Sequence, residues 1–140
     1  MTARSFRRRA LLALLASGLL VSTPAWAGTY LNSAALLLAQ ANTEGDYLRA
    51  RINDKELAEL IHRLADARLE AAKNILVPKE VVQAHPHLLL VLENYERAAD
   101  AAMRGAAEKF LVYQQRARDE DRTFRGVLKQ FGYALPDPKP

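Results

Sequence analysis

Residues 106–132 read AAEKFLVYQQRARDEDRTFRGVLKQFG, and their apolar side chains recur every three or four positions. This spacing places them on one face of an α-helix, which has 3.6 residues per turn. The stripe, which includes one acid, consists of Ala106, Phe110, Tyr113, Ala117, Glu120, Phe124, Val127 and Phe131. Gly132 is predicted to end the helix in a left-handed conformation, with Tyr133 packed back on the last turn. The stretch therefore predicts an amphipathic helix that buries one face against other helices.

Two helices are predicted in the first half of the chain. The first runs from about residue 30 or 33 toward 51, and a break at Gly45 stays open because glycine weakens a helix. The second begins at Asn53 or Asp54 and ends before Pro78, since the residue before a proline avoids the helical region. Its apolar side chains form one stripe that is predicted to face the core: Leu57, Leu60, Ile61, Leu64, Ala67, Ala71 and Ile75.

A third helix is predicted between residues 86 and 104. Pro86 suits its first position, where the backbone N–H has no acceptor within the helix, and Gly105 marks the turn that follows. Residues 78–85 are predicted to form one short helical turn and then a corner. The side chains that this third helix is expected to bury are Leu88, Val91, Leu92, Tyr95, Ala98, Ala99 and Ala102.

The fold predicted from these four segments is an all-α, up-and-down four-helix bundle. Ala, Leu, Glu, Arg and Lys dominate the sequence, no alternating strand-like run occurs, and the links between segments are short. Residues 28–135 are expected to form the single domain, and residues 136–140 a disordered tail. A pair of stacked helical hairpins of repeat type is the alternative, because the surroundings of Gly45 and Gly105 are loosely similar.

The beginning of the chain has the three-part layout of a secretory signal peptide. Four arginines precede a twelve-residue apolar run at 10–21, and small residues at Ala25 and Ala27 precede Gly28. Residues 1–27 are therefore predicted to be removed by cleavage after Ala27. Arg8-Arg9 followed by Leu11-Leu12 resembles the twin-arginine export motif, which implies transport of a folded protein, and an ordinary arginine-rich start is the alternative.

Removal of residues 1–27 changes the charge balance. The whole chain has 20 Lys and Arg against 16 Asp and Glu, with a pI near 9.6, and four of the arginines and none of the acids lie before residue 28. The remaining 113 residues therefore carry sixteen of each charge. A neutral chain gives no basis for predicting nucleic acid or an anionic membrane surface as a partner.

Several polar residues are candidates for a ligand or metal site. His85 and His87 flank Pro86 and could bind a transition metal with a third ligand from elsewhere. Arg68 and Glu120 are charged residues in apolar stripes, where they could pair across the core or, for Glu120, remain in solvent. His62 with Glu59 has the spacing of a di-metal bundle, but both are predicted to face away from the core.

An exposed apolar patch is predicted near the start of the third helix, formed by Val81, Val82, Leu89 and Leu90. Cysteine is absent, so disulfides, a lipid-anchored cysteine and covalently attached haem are excluded. No nucleophile elbow or phosphate-binding glycine loop occurs, and the chain is not expected to be an enzyme or to carry a cofactor.

These observations predict an exported helical protein, periplasmic or secreted and without a stable membrane anchor after cleavage. We expect it to bind another protein or itself, as an adaptor, scaffold or accessory subunit of a bacterial envelope. The alternative is a periplasmic carrier of a small ligand or metal ion.

Overall fold

The computed structural model describes residues 25–138, and four helices make up most of this part of the chain. They are α1 (Ala25–Ala50), α2 (Lys55–Lys73), α3 (His85–Met103) and α4 (Ala107–Gln130). Helices account for 77% of these residues and none of them is in a strand. The all-α prediction is confirmed.

Side-chain contacts between the helices establish the up-and-down order. Helix α3 runs antiparallel to α2, since His62 contacts Glu96 near one end and Ala72 lies beside His85 at the other. Helices α1 and α3 are parallel, because Tyr30 contacts His85 and Asn42 contacts Tyr95 about three turns further along both helices. Helix α4 returns along α3, with Glu120 at the end where α3 begins. Each helix thus reverses the direction of the one before it.

The core consists of two clusters of buried side chains, and all four helices contribute to both. The larger cluster includes Tyr30, Leu69, Leu92 and Phe124, one from each helix. The smaller cluster joins Leu48, Ile61 and Phe110 to the alanines at the end of α3. In a four-helix bundle, inward-facing side chains of all four helices meet in a common core. The shared core therefore favours the bundle over the repeat-type alternative.

Helix α1 is continuous through Gly45, so the break considered there is wrong. The face of α1 at Gly45 lies against the Tyr95 ring of α3: a Cβ built on this glycine would be 2.8 Å from Tyr95 Cε1. Glycine is present because the two helices approach closely at this point. Contacts with α3 maintain the helix despite the low helix propensity of glycine.

The ends of three helices follow the capping rules. The Asp54 carboxylate accepts a hydrogen bond of 3.0 Å from the N–H of Leu57 at the start of α2. Gly105 and Gly132 adopt positive φ angles of 73° and 82° after α3 and α4. The N–H of Tyr133 then donates to the Leu128 carbonyl, and its ring packs on the core. The predicted left-handed cap at Gly132 and the predicted turn at Gly105 are confirmed.

Helix α2 is rotated about its axis relative to the prediction. Its buried side chains are Ala58, Ile61, Ala65, Arg68, Leu69 and Ala72. Leu60 and Leu64, which were expected in the core, are 47% and 43% exposed. The small side chains of Ala58, Ala65 and Ala72 allow the close approach of neighbouring helices, and this outweighs the larger apolar area of the leucines on the other stripe.

In α3 all seven side chains predicted to be buried are buried, and Ala101 joins them. In α4 the predicted stripe is correct at Phe110, Ala117 and Phe124, whereas Phe131 is 43% exposed and Gln114 and Leu128 are buried. The prediction failed at Phe131 because this residue is the C-cap of α4, beyond its last helical turn.

The two ends of the described chain bear on the predicted boundaries. Helix α1 begins at Ala25, so it spans the predicted cleavage junction, and Ala27 is buried. Cleavage itself stays a prediction, and Arg8 and Arg9 lie outside the described residues. At the other end, residues 136–138 line grooves on the surface of α1 and are not helical.

Candidate functional site

His85 is a structural contact among three helices. Its Nδ1 lies 3.0 Å from the Tyr30 hydroxyl of α1, and the two rings meet edge to face. Burial lowers the pKa of His85, while a hydrogen bond with the backbone of Ala72 partly offsets this effect. Burial raises the pKa of Tyr30 above its usual value. A neutral imidazole protonated on Nε2 therefore accepts the Tyr30 O–H, with the Tyr30 ring in the core and the partly buried His85 at its edge.

His87 points to a different partner from His85. Its Nδ1 lies 3.2 Å from Glu120 Oε2 on α4, where both side chains are about one-third exposed. The two histidines contact different helices, because positions two residues apart in a helix face in different directions. Within residues 25–138 no group of three or more His, Asp or Glu side chains could hold a metal ion.

Arg68 and Glu120 do not form the pair considered from the sequence. The buried Arg68 guanidinium donates through Nη2 to the Glu44 carboxylate of α1. Glu120 lies on the other side of the bundle beside His87. Arg68 contacts Glu44 and not Glu120 because the rotation of α2 turns Arg68 toward α1.

The cavity beside Arg68 is too small for a metabolite. It is lined by residues of all four helices, including Phe110 of α4, and has a volume of about 10 Å³. A single water molecule needs roughly 10–15 Å³ on this measure. The ion pair of Arg68 with Glu44 therefore holds α2 and α1 together, and the cavity beside it has no room for a small-molecule ligand.

A layer of polar contacts extends from one turn of α1 to the other three helices. Asn42 accepts a hydrogen bond from the Tyr95 hydroxyl, and Glu44 accepts from Arg68. Asp46 accepts from the Arg118 guanidinium of α4 at 2.8 Å. Burial raises the pKa of Tyr95 to about 12. The layer fixes the register of the helices, since each contact specifies one relative position.

The rotation of α2 also places His62 in a more buried environment than the sequence predicted. It was predicted on a solvent-facing surface, yet its Nε2 lies 2.7 Å from Glu96 Oε1 of α3 with both side chains three-quarters buried. Glu59 is exposed and does not join this contact. The pair links α2 to α3 and is not the beginning of a di-metal centre.

The four residues of the apolar patch predicted around the connection to α3 are divided between the core and the surface. Val81 is fully buried, and Leu89 is half-buried against the larger core cluster. Val82 and Leu90 are exposed, at 51% and 39%. The prediction placed all four on one surface because the sequence does not show which way the short turn at residues 78–85 faces, and the hydrogen-bonded turns there fold Val81 inward.

Helix α2 carries an apolar stripe at the surface. Leu57, Leu60, Leu64, Ala67 and Ala71 follow one another at spacings of three and four, and all except the half-buried Leu57 are exposed. We call these five residues the α2 stripe. It lies beside the buried face of the same helix, so α2 carries two neighbouring apolar stripes of which one contacts the bundle. The second stripe was visible in the sequence as Ala58, Ile61, Ala65 and Ala72.

Comparison with protein-family models, with curated proteins and with solved structures found no match to this chain. None of the helices in residues 25–138 has both the length and the apolar character needed to cross a bilayer. The geometry of the bundle therefore carries the evidence for function.

Proposed function

We propose that this protein is a protein-binding helical bundle of the bacterial envelope and that the α2 stripe is its binding surface. The observation that carries the proposal is the exposure of Leu60 and Leu64 on consecutive turns of one helix. Contiguous exposed apolar surface of this kind is typical of interaction sites. The envelope location rests on the signal-like start of the sequence.

The heptad spacing of the α2 stripe indicates what kind of partner fits it. Residues at spacings of three and four form the seam of a coiled coil, in which side chains of one helix insert between those of another. Each half-exposed leucine would contribute about 1 kcal/mol when it becomes fully buried. A helix from the partner, packed along α2, is therefore the complementary structure.

Site-specific photo-crosslinking tests the proposal. A benzophenone amino acid replaces Leu64 in the protein expressed in the organism that makes it, and the adducts are identified by mass spectrometry. Leu111 on α4 is the matched control, because it is 45% exposed and Leu64 is 43% exposed. We expect one defined protein adduct from position 64 and none of comparable yield from position 111. Equal or absent crosslinking at the two positions would contradict the proposal.

A further inference from the structure

We infer that the occupant of the α2 stripe is α2 of a second copy of this chain, packed antiparallel across a twofold axis. The inference rests on the proposed function and names its partner. Two features carry it: the division of the α2 stripe into large residues at one end and small residues at the other, and the charges that border it.

The residue sizes in the α2 stripe are complementary to the same stripe reversed. Leucines occupy the first three positions and alanines the last two. Each heptad of the stripe has two core positions: the first is occupied by Leu57, Leu64 and Ala71, and the second by Leu60 and Ala67. In an antiparallel pair, a residue at the first position of one helix packs against a residue at the second position of the other helix. One register therefore places Leu64 opposite the partner subunit's Ala67 and Leu60 opposite the partner subunit's Ala71. Large side chains meet small ones in all four layers.

The charges beside the stripe select this register. Arg63 and Glu70 occupy the same heptad position one repeat apart. Arg63 immediately precedes Leu64 of the α2 stripe, and Glu70 immediately precedes Ala71. In the register described, Arg63 faces the partner subunit's Glu70, and symmetry forms the pair twice. A slide of one heptad would instead place Arg63 opposite the partner subunit's Arg63. A parallel pair would place it opposite the partner subunit's Arg68.

Neither charge is committed to a strong contact within the bundle. Arg63 is exposed and has no ion pair within the described part of the chain, and Glu70 is bound only by the exposed Lys73 one turn away. The two cannot pair within one helix, because seven residues separate them by about 10.5 Å along the axis. Any coupling between Arg63 and Glu70 therefore arises between two chains.

Charge reversal combined with sedimentation equilibrium tests the inference. The exported protein is compared with Arg63→Glu, Glu70→Arg and the double variant, from micromolar to near-millimolar concentration. We expect the unmodified protein to dimerise and each single reversal to weaken the dimer about tenfold, since it replaces two attractive pairs by two repulsive ones. The double variant restores both pairs, and its dissociation constant is expected within about threefold of the original.

Lys109→Glu on α4 is the matched control, because Lys109 is exposed and its reversal changes the charge equally. This variant should dimerise as the unmodified protein does. A monomeric unmodified protein over the whole range would overturn the inference, as would a double variant no better than the single ones. A crosslink from position 64 to a different protein would overturn the inference as well, yet it would support the proposed function, so the two failures are distinguishable.

Discussion

At the scale of single residues, Gly45 explains how α1 and α3 come together. Two helices that share a long apolar contact are held apart by the side chains between them, and interaxial distances depend on those side chains. At Gly45 the absent side chain admits the Tyr95 ring, whose hydroxyl then reaches Asn42. The sequence showed a glycine within a helix but could not show what it faces, because that depends on the rotation of α3.

Gly45→Ala is expected to destabilise the protein by about 1–3 kcal/mol, because the new Cβ would overlap the Tyr95 ring. Gly126→Ala in α4 is the matched control, since a Cβ there meets no atom within 4 Å. The control should gain up to about 1 kcal/mol from the higher helix propensity of alanine. Urea unfolding measures both, and a stabilising effect of Gly45→Ala would contradict the close contact.

His85 gives the protein a dependence on pH with a definite sign. Burial holds its pKa below the value near 6.5 of the unfolded chain. The unfolded state therefore binds the proton first as the pH falls. The stability associated with His85 is fully present above pH 6.5 and is lost as the pH falls toward the folded pKa.

We expect His85→Gln to reduce the loss of unfolding free energy between pH 7.5 and pH 5.5. Glutamine keeps a polar group near Tyr30 without a titrating proton. The measurement is urea unfolding of both proteins at the two pH values, with NMR titration of His85 in the folded state. A folded pKa above 6.5, or the same pH dependence in both proteins, would show that burial does not control this group.

At the scale of helices, α2 and α3 show what periodicity can and cannot predict. Helix α3 is surrounded by the other three helices, so nearly every apolar position is buried and its core could be listed from the sequence. Helix α2 lies at the edge and has two apolar stripes, and the pattern alone does not show which one faces inward. The alanines of the buried stripe were underestimated, because a hydrophobicity pattern weights leucine more than it weights close packing.

The ion pair between Arg68 and Glu44 joins α2 to α1. We expect Arg68→Ala to cost about 3 kcal/mol, since it removes one partner of a largely buried ion pair. Replacing both residues, as in Arg68→Met with Glu44→Leu, should recover most of this loss because no charge is left unpaired. Thermal and urea unfolding of the two variants provide the comparison. Equal destabilisation by both would mean that the pair is not coupled.

At the scale of the whole molecule, the architecture could be predicted more completely than the site. Short links require neighbouring antiparallel helices, and Gly105 and Gly132 end their helices as expected. Of the four apolar residues proposed as a surface, Val81 is buried and Leu89 packs against the core, whereas Val82 and Leu90 are exposed. Surface and core contain the same residue types here, and only the rotation of each helix distinguishes them.

The double variant Leu60→Lys with Leu64→Lys tests whether the α2 stripe is a binding surface. Sedimentation gives the association state, and urea unfolding at a dilution where the unmodified protein is monomeric gives the stability of the fold. We expect the double variant to lose association completely. Its unfolding free energy should change by less than about 1 kcal/mol, because both leucine side chains are nearly half exposed. A loss of 3 kcal/mol or more, or association that persists in the variant, would contradict the assignment of the α2 stripe as a binding surface.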